Sequence, residues 1–230
     1  MDTKEFKSYI MDKVKCSFKV DELDTNFSNE FYYLKFIHLI KFNLEQYEVK
    51  DLGNMAVLEG RGFGIMKMIT VVFTPNARKD IPLVIIDFIK MANKRTVLVE
   101  IYSNHVMQKS ELKEFEEKLK KLNIKYSNIE NYKENPNWYT PLRNKLSPLK
   151  KGTKEQESEL CEMVLEYLQE YLDYASKAKS NMDIDNCQLK DFINNLIYKG
   201  NPSASILEKT LGKEETKRLF QDVVFYYDGR

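Results

Sequence analysis

The chain has 230 residues, of which 43% are hydrophobic and 31% are charged, and its formal net charge is +1. This length allows one large domain or two small ones, and the composition is typical of a globular protein that buries its own core. The near-neutral charge excludes a global basic field for bulk nucleic-acid binding, so a charged partner must contact a local patch.

The three cysteines, Cys16, Cys161 and Cys187, are widely spaced and form no CxxC pair. This pattern argues against a disulfide framework, a zinc site and a cysteine-ligated cluster, so we expect reduced thiols and a cytoplasmic location. The N-terminal segment MDTKEFKSYIMDKVK has no apolar h-region, and no stretch reaches the roughly 18 consecutive apolar residues of a membrane span. We therefore expect neither export nor a membrane partner.

The first 42 residues of the chain predict helices. Phe6, Ile10 and Val14 recur every four residues, which is typical of a short amphipathic helix. The segment FYYLKFIHLIKF, residues 31–42, is apolar on every face, so a buried helix and a buried strand both fit. Its length favours a helix.

Three apolar runs then give a clear sheet signal: IMKMITVVF at 65–73, PLVIIDFI at 82–89 and TVLVEIY at 96–102. The links between them are too short for a crossover helix, so the strands are predicted to form an antiparallel meander. Residues 49–59 predict one more strand before the GRGFG turn.

The remaining chain predicts further helices. An apolar stripe covers 112–122, and residues 123–148 form a long loop without a clear period. Thr153 and Gln156 form a capping box before a long amphipathic helix with the stripe Leu160, Val164, Tyr167, Tyr171 and Tyr174. Another helix covers 189–198. Asn201 and Pro202 resemble the N-cap and first residue of a short helix that ends at Gly212, and a last helix covers 214–220.

Helices on both sides of an antiparallel meander define an α/β fold, a three-layer α/β/α sandwich with a central antiparallel sheet. The sequence contains no linker, repeat or low-complexity tract. We therefore predict a single domain over residues 1–230.

Nucleotide and metal motifs are absent from the sequence: there is no GxGxxG after a strand, no GxxxxGK[ST], no HExxH and no GxSxG. His38 and His105 are the two histidines, too few for a multi-histidine metal site, and we predict no metal.

Asp87 is the most informative residue. It lies in the middle of an otherwise apolar strand, where an ionised carboxylate is costly unless it is paired or protonated. Such an acid is a candidate proton donor with a raised pKa, and the alternative is a structural aspartate bonded to backbone or to a lysine. Glu100 lies on the next strand and Glu59 ends the preceding one, so three carboxylates can approach one pocket.

Strand alternation extends this candidate site. If Asp87 faces a pocket, Ile85 shares its face, and Met68 and Thr70 share one face of the neighbouring strand.

Two lysine groups are either solvated faces or landing sites for an acidic protein. The first consists of Lys145, Lys150, Lys151 and Lys154, and the second of Lys118, Lys120, Lys121 and Lys125.

The segment KMITVVFTP followed by IPLVIIDFI resembles the ferredoxin-dependent bilin reductases, and Asp87 falls on the catalytic aspartate of that family. Glu100 loosely matches an acid at the end of the next family strand. The C-terminal GNPSASILEKTLGKEETKRLFQDVVF is similar to the closing segment of the family, in which Asn201 stands where an aspartate often lies.

The resemblance implies an enzyme that reduces a linear tetrapyrrole, biliverdin or a related bilin, held between the sheet and the C-terminal helices. It implies no bound cofactor, because electrons arrive singly from external ferredoxin or flavodoxin and the bilin becomes a radical. We predict Asp87, Glu59 and Asn201 as catalytic residues, and Met68, Thr70, Ile85 and Glu100 as substrate-binding residues, in a cytoplasmic monomer.

Two positions depart from the family pattern. Thr70 stands where many members have histidine or asparagine, and it cannot donate a proton near neutral pH. Asn201 can equally be a helix cap. A two-electron reduction that relies on Asp87 is therefore the first interpretation. The alternatives are a non-catalytic tetrapyrrole-binding protein of the same fold and an unrelated α/β interaction module in which Asp87 is structural.

Overall fold

A computed structural model of the protein describes residues 3–25, 27, 30–35, 38–62, 65–102, 110–178, 187–201 and 204–227. Within these ranges, only the backbone is described at residues 30–35, 38–40, 110, 111, 187, 205 and 206.

The centre of the described chain is one antiparallel sheet of eight strands. The strands are β1 (Val20–Leu23), β2 (Glu30–Lys35), β3 (His38–Val49), β4 (Gly53–Gly62), β5 (Met66–Pro75), β6 (Leu83–Met91), β7 (Lys94–Tyr102) and β8 (Leu149–Thr153). Their order is β1-β3-β4-β5-β6-β7-β8. β1 pairs with residues 46–49 of β3, and β2 pairs with residues 38–43 of the same strand. Each strand from β3 to β7 therefore pairs with the next strand along the chain.

Helices cover both faces of this sheet. They are α1 (Thr3–Ser17), α2 (Ser110–Lys125), α3 (Glu157–Lys177), α4 (Cys187–Tyr198), α5 (Ala204–Leu211) and α6 (Lys213–Leu219). A 3-10 helix at Thr140–Leu142 and a π-helical turn at Phe220–Val224 complete the helical structure of the described chain.

Two hydrophobic cores, one on each face of the sheet, hold the layers together. The first core packs α1, α2 and α3 on side chains such as Val57, Val71 and Ile86. The second core packs α4, α5, α6 and the π-helical turn on the alternate side chains, such as Leu58 and Val72. The predicted α/β/α sandwich with a central antiparallel sheet is thus confirmed.

The predicted strands and helices agree closely with these elements. The three sheet runs are β5, β6 and β7, and the stripe from Leu160 to Tyr174 is the buried face of α3. The strand predicted at 49–59 begins later, at Gly53, because residues 50–52 form the turn after β3. It also continues to Gly62, so residues 60–62 of the predicted GRGFG turn belong to β4, where they pair with β5. At the C-terminal end, α5 stops before Gly212, which has a φ of 82° that suits glycine.

The helix predicted over residues 31–42 is wrong. This segment contains β2 and the first part of β3, paired from Lys35–His38 to Glu30–Asn43. Apolar residues on every face fit both structures, and pairing decides between them, because β3 also forms a ladder with β4 from Ile40–Gly62 to Val49–Gly53.

None of the helices in the described ranges has the length and apolar character required to cross a bilayer.

Candidate functional site

The register of the sheet brings the predicted polar residues of three strands together. Thr70 of β5 lies directly opposite Asp87 of β6, and Glu100 of β7 lies opposite Ile85 of β6. Asp87 and Glu100 are therefore diagonal neighbours, and alternation places both on the face that carries the second core. All three polar side chains line one cavity.

This cavity has a volume of about 40 Å³ and lies between the sheet and the C-terminal segment. Its sheet wall is mostly apolar and consists of Ala56, Leu58, Thr70, Val72, Ile85, Asp87 and Glu100. Its cover consists of Asn201, Phe220, Val224 and Phe225. A cavity of this size holds water molecules but is much smaller than the roughly 300–1,000 Å³ of ordinary ligand pockets.

Asp87 lies on the apolar wall and accepts a hydrogen bond from the Thr70 hydroxyl at Oδ1. Burial raises the pKa of Asp87 to about 6, while the Thr70 hydrogen bond opposes part of that rise. The carboxyl group therefore exchanges its proton near neutral pH, as a general acid requires.

Glu100 is the second acid of the wall and is 3% exposed. Its Oε1 accepts a hydrogen bond from Arg143 Nη1 at 2.5 Å. Burial, and then the charge of Asp87, raise the pKa of Glu100 to about 7 in spite of Arg143. Arg143 also pairs with Glu134, with Nη1 to Oε2 at 3.1 Å.

Glu59 does not belong to this site, and the expectation that three carboxylates meet in one pocket is wrong. Glu59 lies opposite Ile69, a residue of the first core, so its side chain is on the other face of the sheet. There it lies 3.7 Å from Lys7 Nζ of α1. Glu59 also does not end its strand, because β4 continues to Gly62. Glu59 and Asp87 therefore lie on opposite faces of the sheet.

The other predicted residues are on the expected face. Ile85 lines the cavity, and Met68 packs against the second core beside it. Gly60 makes room for Met68, since a Cβ built there would lie 2.6 Å from Met68 Cγ.

Asn201 lines the cavity and also caps α5, as its sequence context predicted. Its Oδ1 accepts a hydrogen bond from Ala204 N at 3.1 Å, and its Nδ2 donates to Leu196 O at 3.2 Å. Pro202 lies outside the described residues.

The cover contains features that sequence patterns did not reveal. Phe220 and Val224 belong to the π-helical turn, a distortion common at functional sites. Two buried amides of the sheet anchor this turn: Gln46 Nε2 donates to Asp222 O at 3.2 Å, and Asn54 Nδ2 donates to Val223 O at 2.9 Å. Arg143 was also missed, because it lies in the predicted loop at 123–148, where no periodicity singles out a residue.

A second, open groove adjoins the cavity and shares Asn201 with it. It has a volume of about 460 Å³ and lies between the segment that includes Trp138 and the end of α4. Lys199 lies on its edge, with Nζ 5.5 Å from the centroid of the Trp138 ring. Together, the cavity and the groove reach the volume of an ordinary ligand pocket.

The first lysine group is not a continuous basic patch. Lys150 is 5% exposed, and its Nζ donates to Ile129 O at 3.0 Å and to Asn131 Oδ1 at 2.8 Å. Lys150 therefore fits neither a solvated face nor a landing site. Lys145 and Lys154 are exposed, and Lys151 pairs with Glu130 at 2.8 Å.

The second lysine group pairs largely with acids of its own surface. Lys118 contacts Glu170 at 2.8 Å, and Lys125 contacts Glu166 at 2.6 Å. Among the described residues, no group of three or more histidine, cysteine, aspartate or glutamate side chains is arranged to hold a metal ion.

Comparison with known proteins agrees with this architecture. The profile of the family "Ferredoxin-dependent bilin reductase" matches residues 43–226 of the chain. The chain therefore belongs to the ferredoxin-dependent bilin reductase family. No curated protein matches the sequence.

Among solved structures, the chain is similar to phytochromobilin synthase from tomato in complex with biliverdin. The TM-score is 0.78 at 11% sequence identity, and the match covers 97% of this chain and 83% of the tomato protein. At this identity the likeness establishes the fold.

Proposed function

We propose that the protein reduces a linear tetrapyrrole, biliverdin or a related bilin, with single electrons from reduced ferredoxin or flavodoxin, and that Asp87 donates a proton. The observation that carries this proposal is the protonatable Asp87 carboxyl on the apolar wall of a cavity, in a member of the bilin reductase family. A general acid with a pKa near the working pH contributes most to a proton transfer.

The proposed reaction balances as a two-electron reduction. Two reduced ferredoxins each give one electron, the bilin takes up two protons, and a one-electron-reduced radical forms between the two steps. The chain needs no bound cofactor for this chemistry, because the pigment itself accepts the electrons.

Pigment binding requires the cover to move, because the cavity holds about 40 Å³ beside a groove of about 460 Å³. We propose that a bilin occupies the groove and displaces Phe220 and Phe225 from the sheet wall. Met68, Thr70, Ile85 and Glu100 then contact the pigment from the sheet, and Asn201 contacts it from the cover.

Ferredoxin is proposed to dock beside Lys151, which lies on the same face of the sheet as Asp87 by strand alternation. Lys145 and Lys154 add exposed positive charge on either side of it in the sequence. A cytoplasmic location and a monomeric state are further parts of the proposal, and light scattering of the purified protein tests the latter.

An anaerobic experiment with biliverdin tests the function. The protein is mixed with biliverdin, first alone and then with reduced ferredoxin, and the absorption spectrum is followed. We expect a shifted spectrum on binding and then conversion of the pigment. A shifted but stable spectrum would instead identify a non-catalytic tetrapyrrole-binding protein, and an unchanged spectrum would contradict both functions.

A further inference from the structure

Asp87 and Glu100 share one wall of one cavity. They are diagonal neighbours on adjacent strands, and the cavity that they both line is large enough, at about 40 Å³, for a water molecule. Both carboxyl groups therefore border the same small cavity.

The charged and titratable neighbours of Glu100 lie on the sheet and on the loop beside it. Asp87 is on β6, Tyr102 follows Glu100 on β7, and the loop supplies Glu134, Tyr139 and Arg143. The described residues that close the cavity from the other side, Asn201, Phe220, Val224 and Phe225, carry no titratable group. Among these described neighbours of Glu100, Arg143 is the only cation, and it also forms a hydrogen bond to Glu134.

This environment keeps both carboxyl groups protonated to higher pH than a free acid. Burial raises the pKa of Asp87 to about 6, and burial and then the charge of Asp87 raise the pKa of Glu100 to about 7. Two coupled carboxyl groups titrate as a pair, so the pair retains part of its protons near neutral pH.

We propose that Glu100 is a second proton donor of the reaction and acts together with Asp87. This inference rests on the proposed function. The two-electron reduction consumes two protons, and the structure offers two carboxyl groups for them: Asp87 gives one, Glu100 gives the other, and both are reprotonated from water after the product leaves. The electrons come from two reduced ferredoxins.

The neighbouring positions explain why a second acid is needed from β7. Thr70 carries a hydroxyl that does not ionise near neutral pH, and Asn201 carries an amide that is engaged in capping α5. Glu100 is the remaining carboxyl among the described cavity residues.

The test compares Glu100→Gln with Glu100→Asp and with Glu59→Gln. Glu59 is a matched control, because it is also a buried glutamate of the sheet beside cations, but on the opposite face. We expect Glu100→Gln to bind biliverdin and to lower kcat by about 100-fold. Glu100→Asp should recover part of the rate, and Glu59→Gln should keep the parent rate.

Two readouts separate proton donation from a structural role. In the parent, kcat should fall as pH rises through about 7, and in Glu100→Gln this limb should move to lower pH, because the repulsion between the two carboxylates is lost. The Glu100→Gln enzyme should also accumulate the one-electron-reduced pigment, detected by electron paramagnetic resonance. If the parent reduces biliverdin and Glu100→Gln keeps both its rate and its pH limb, the inference is overturned while the proposed function stands.

A measurement without ferredoxin keeps the inference testable if the parent shows no turnover. Infrared difference spectra of the pigment-free protein follow the carbonyl stretch of protonated carboxyl groups during a pH titration. We expect Glu100→Gln to lose a band that titrates near pH 7. Identical spectra in the parent and Glu100→Gln would show that Glu100 holds no proton to donate.

Discussion

The Thr70 hydroxyl donates a hydrogen bond to Asp87 Oδ1 across directly opposed positions of β5 and β6. This bond favours the charged carboxylate, whereas burial disfavours it, and burial is the larger effect. The acidity of Asp87 is thus set by a buried wall and a non-titratable neighbour. Thr70 cannot itself donate a proton to the pigment near neutral pH, but its hydrogen bond holds the Asp87 carboxyl group in place.

Replacement of that carboxyl tests its proposed role. Asp87→Asn should bind biliverdin with little change in affinity and reduce it about 100-fold more slowly, because the amide keeps the shape but has no proton to give. Stopped-flow absorption with reduced ferredoxin measures both quantities. Thr70→Val is the companion variant: it keeps the acid, and its rate should extend to higher pH because the bond that lowers the pKa of Asp87 is lost. A parent-like rate in Asp87→Asn would contradict the assignment.

The two raised pKa values predict how stability depends on pH. Carboxyl groups of an unfolded chain titrate near pH 4, whereas Asp87 and Glu100 titrate at about 6 and about 7 in the folded protein. The folded state therefore binds more protons between these values, so the free energy of unfolding should fall as pH rises from about 4 to about 7. The full contribution of the pair is on the order of 2–4 kcal/mol after allowance for solvent and coupling.

Urea unfolding at a series of pH values measures this slope. Asp87→Asn and Glu100→Gln should each flatten it, because each removes a group that loses its proton on unfolding. A free energy that rises with pH in this window would mean that the two acids are ionised and paired in the folded protein.

Charge reversal tests the docking surface. Lys151→Glu combined with Lys154→Glu should raise KM for ferredoxin and weaken its salt dependence, without altering biliverdin affinity, because exposed charges attract an acidic partner over roughly 10 Å at 0.1 M ionic strength. Lys150→Met is the contrasting variant. Loss of the Lys150 ammonium group should lower stability, because the Ile129 carbonyl loses its hydrogen bond to Nζ, and it should leave KM for ferredoxin unchanged. Equal KM values for ferredoxin in the parent and all variants would show that ferredoxin does not dock beside Lys151.

An ion cluster on the opposite face should control stability and not chemistry. Glu157 at the start of α3 accepts a hydrogen bond from Lys90 Nζ at 2.6 Å and another from Arg95 Nε. Although burial opposes it, these contacts lower the pKa of Glu157 to about 2. Glu157→Gln leaves two buried cations with a neutral partner and should cost about 3 kcal/mol of unfolding free energy.

Thermal and urea unfolding measure this loss, and the biliverdin assay at low temperature is its control. In the parent, the contribution of Glu157 should disappear as pH falls from about 4 toward about 2, since an acid with a lowered pKa gives up its stabilisation when it is protonated. If Glu157→Gln lost biliverdin affinity while keeping the stability of the parent, Glu157 would instead have a role in pigment binding.

Much of the fold could be predicted from residue patterns. The runs that became β5, β6 and β7 are short, apolar and bounded by turn-forming residues, which is typical of buried strands. The stripe that became the buried face of α3 has the period of about 3.6 residues that is typical of an amphipathic helix. Asp87 was identifiable for a similar reason, because one carboxyl in an apolar strand costs free energy unless it has a function or a partner.

Tertiary structure decided what these local patterns leave open. Residues 31–42 became strands because β4 offered a partner for β3, and periodicity contains no information on pairing across the sheet. Glu59 was assigned to the wrong face because one residue of register moves a side chain across the sheet. Lys150, Arg143 and the π-helical turn acquired their roles only through contacts with distant segments. The sequence by itself determined the layers and the acid at their centre, since both follow from local periodicity and burial. Only the folded chain decided which groups surround that acid, since that depends on pairing, register and loop placement.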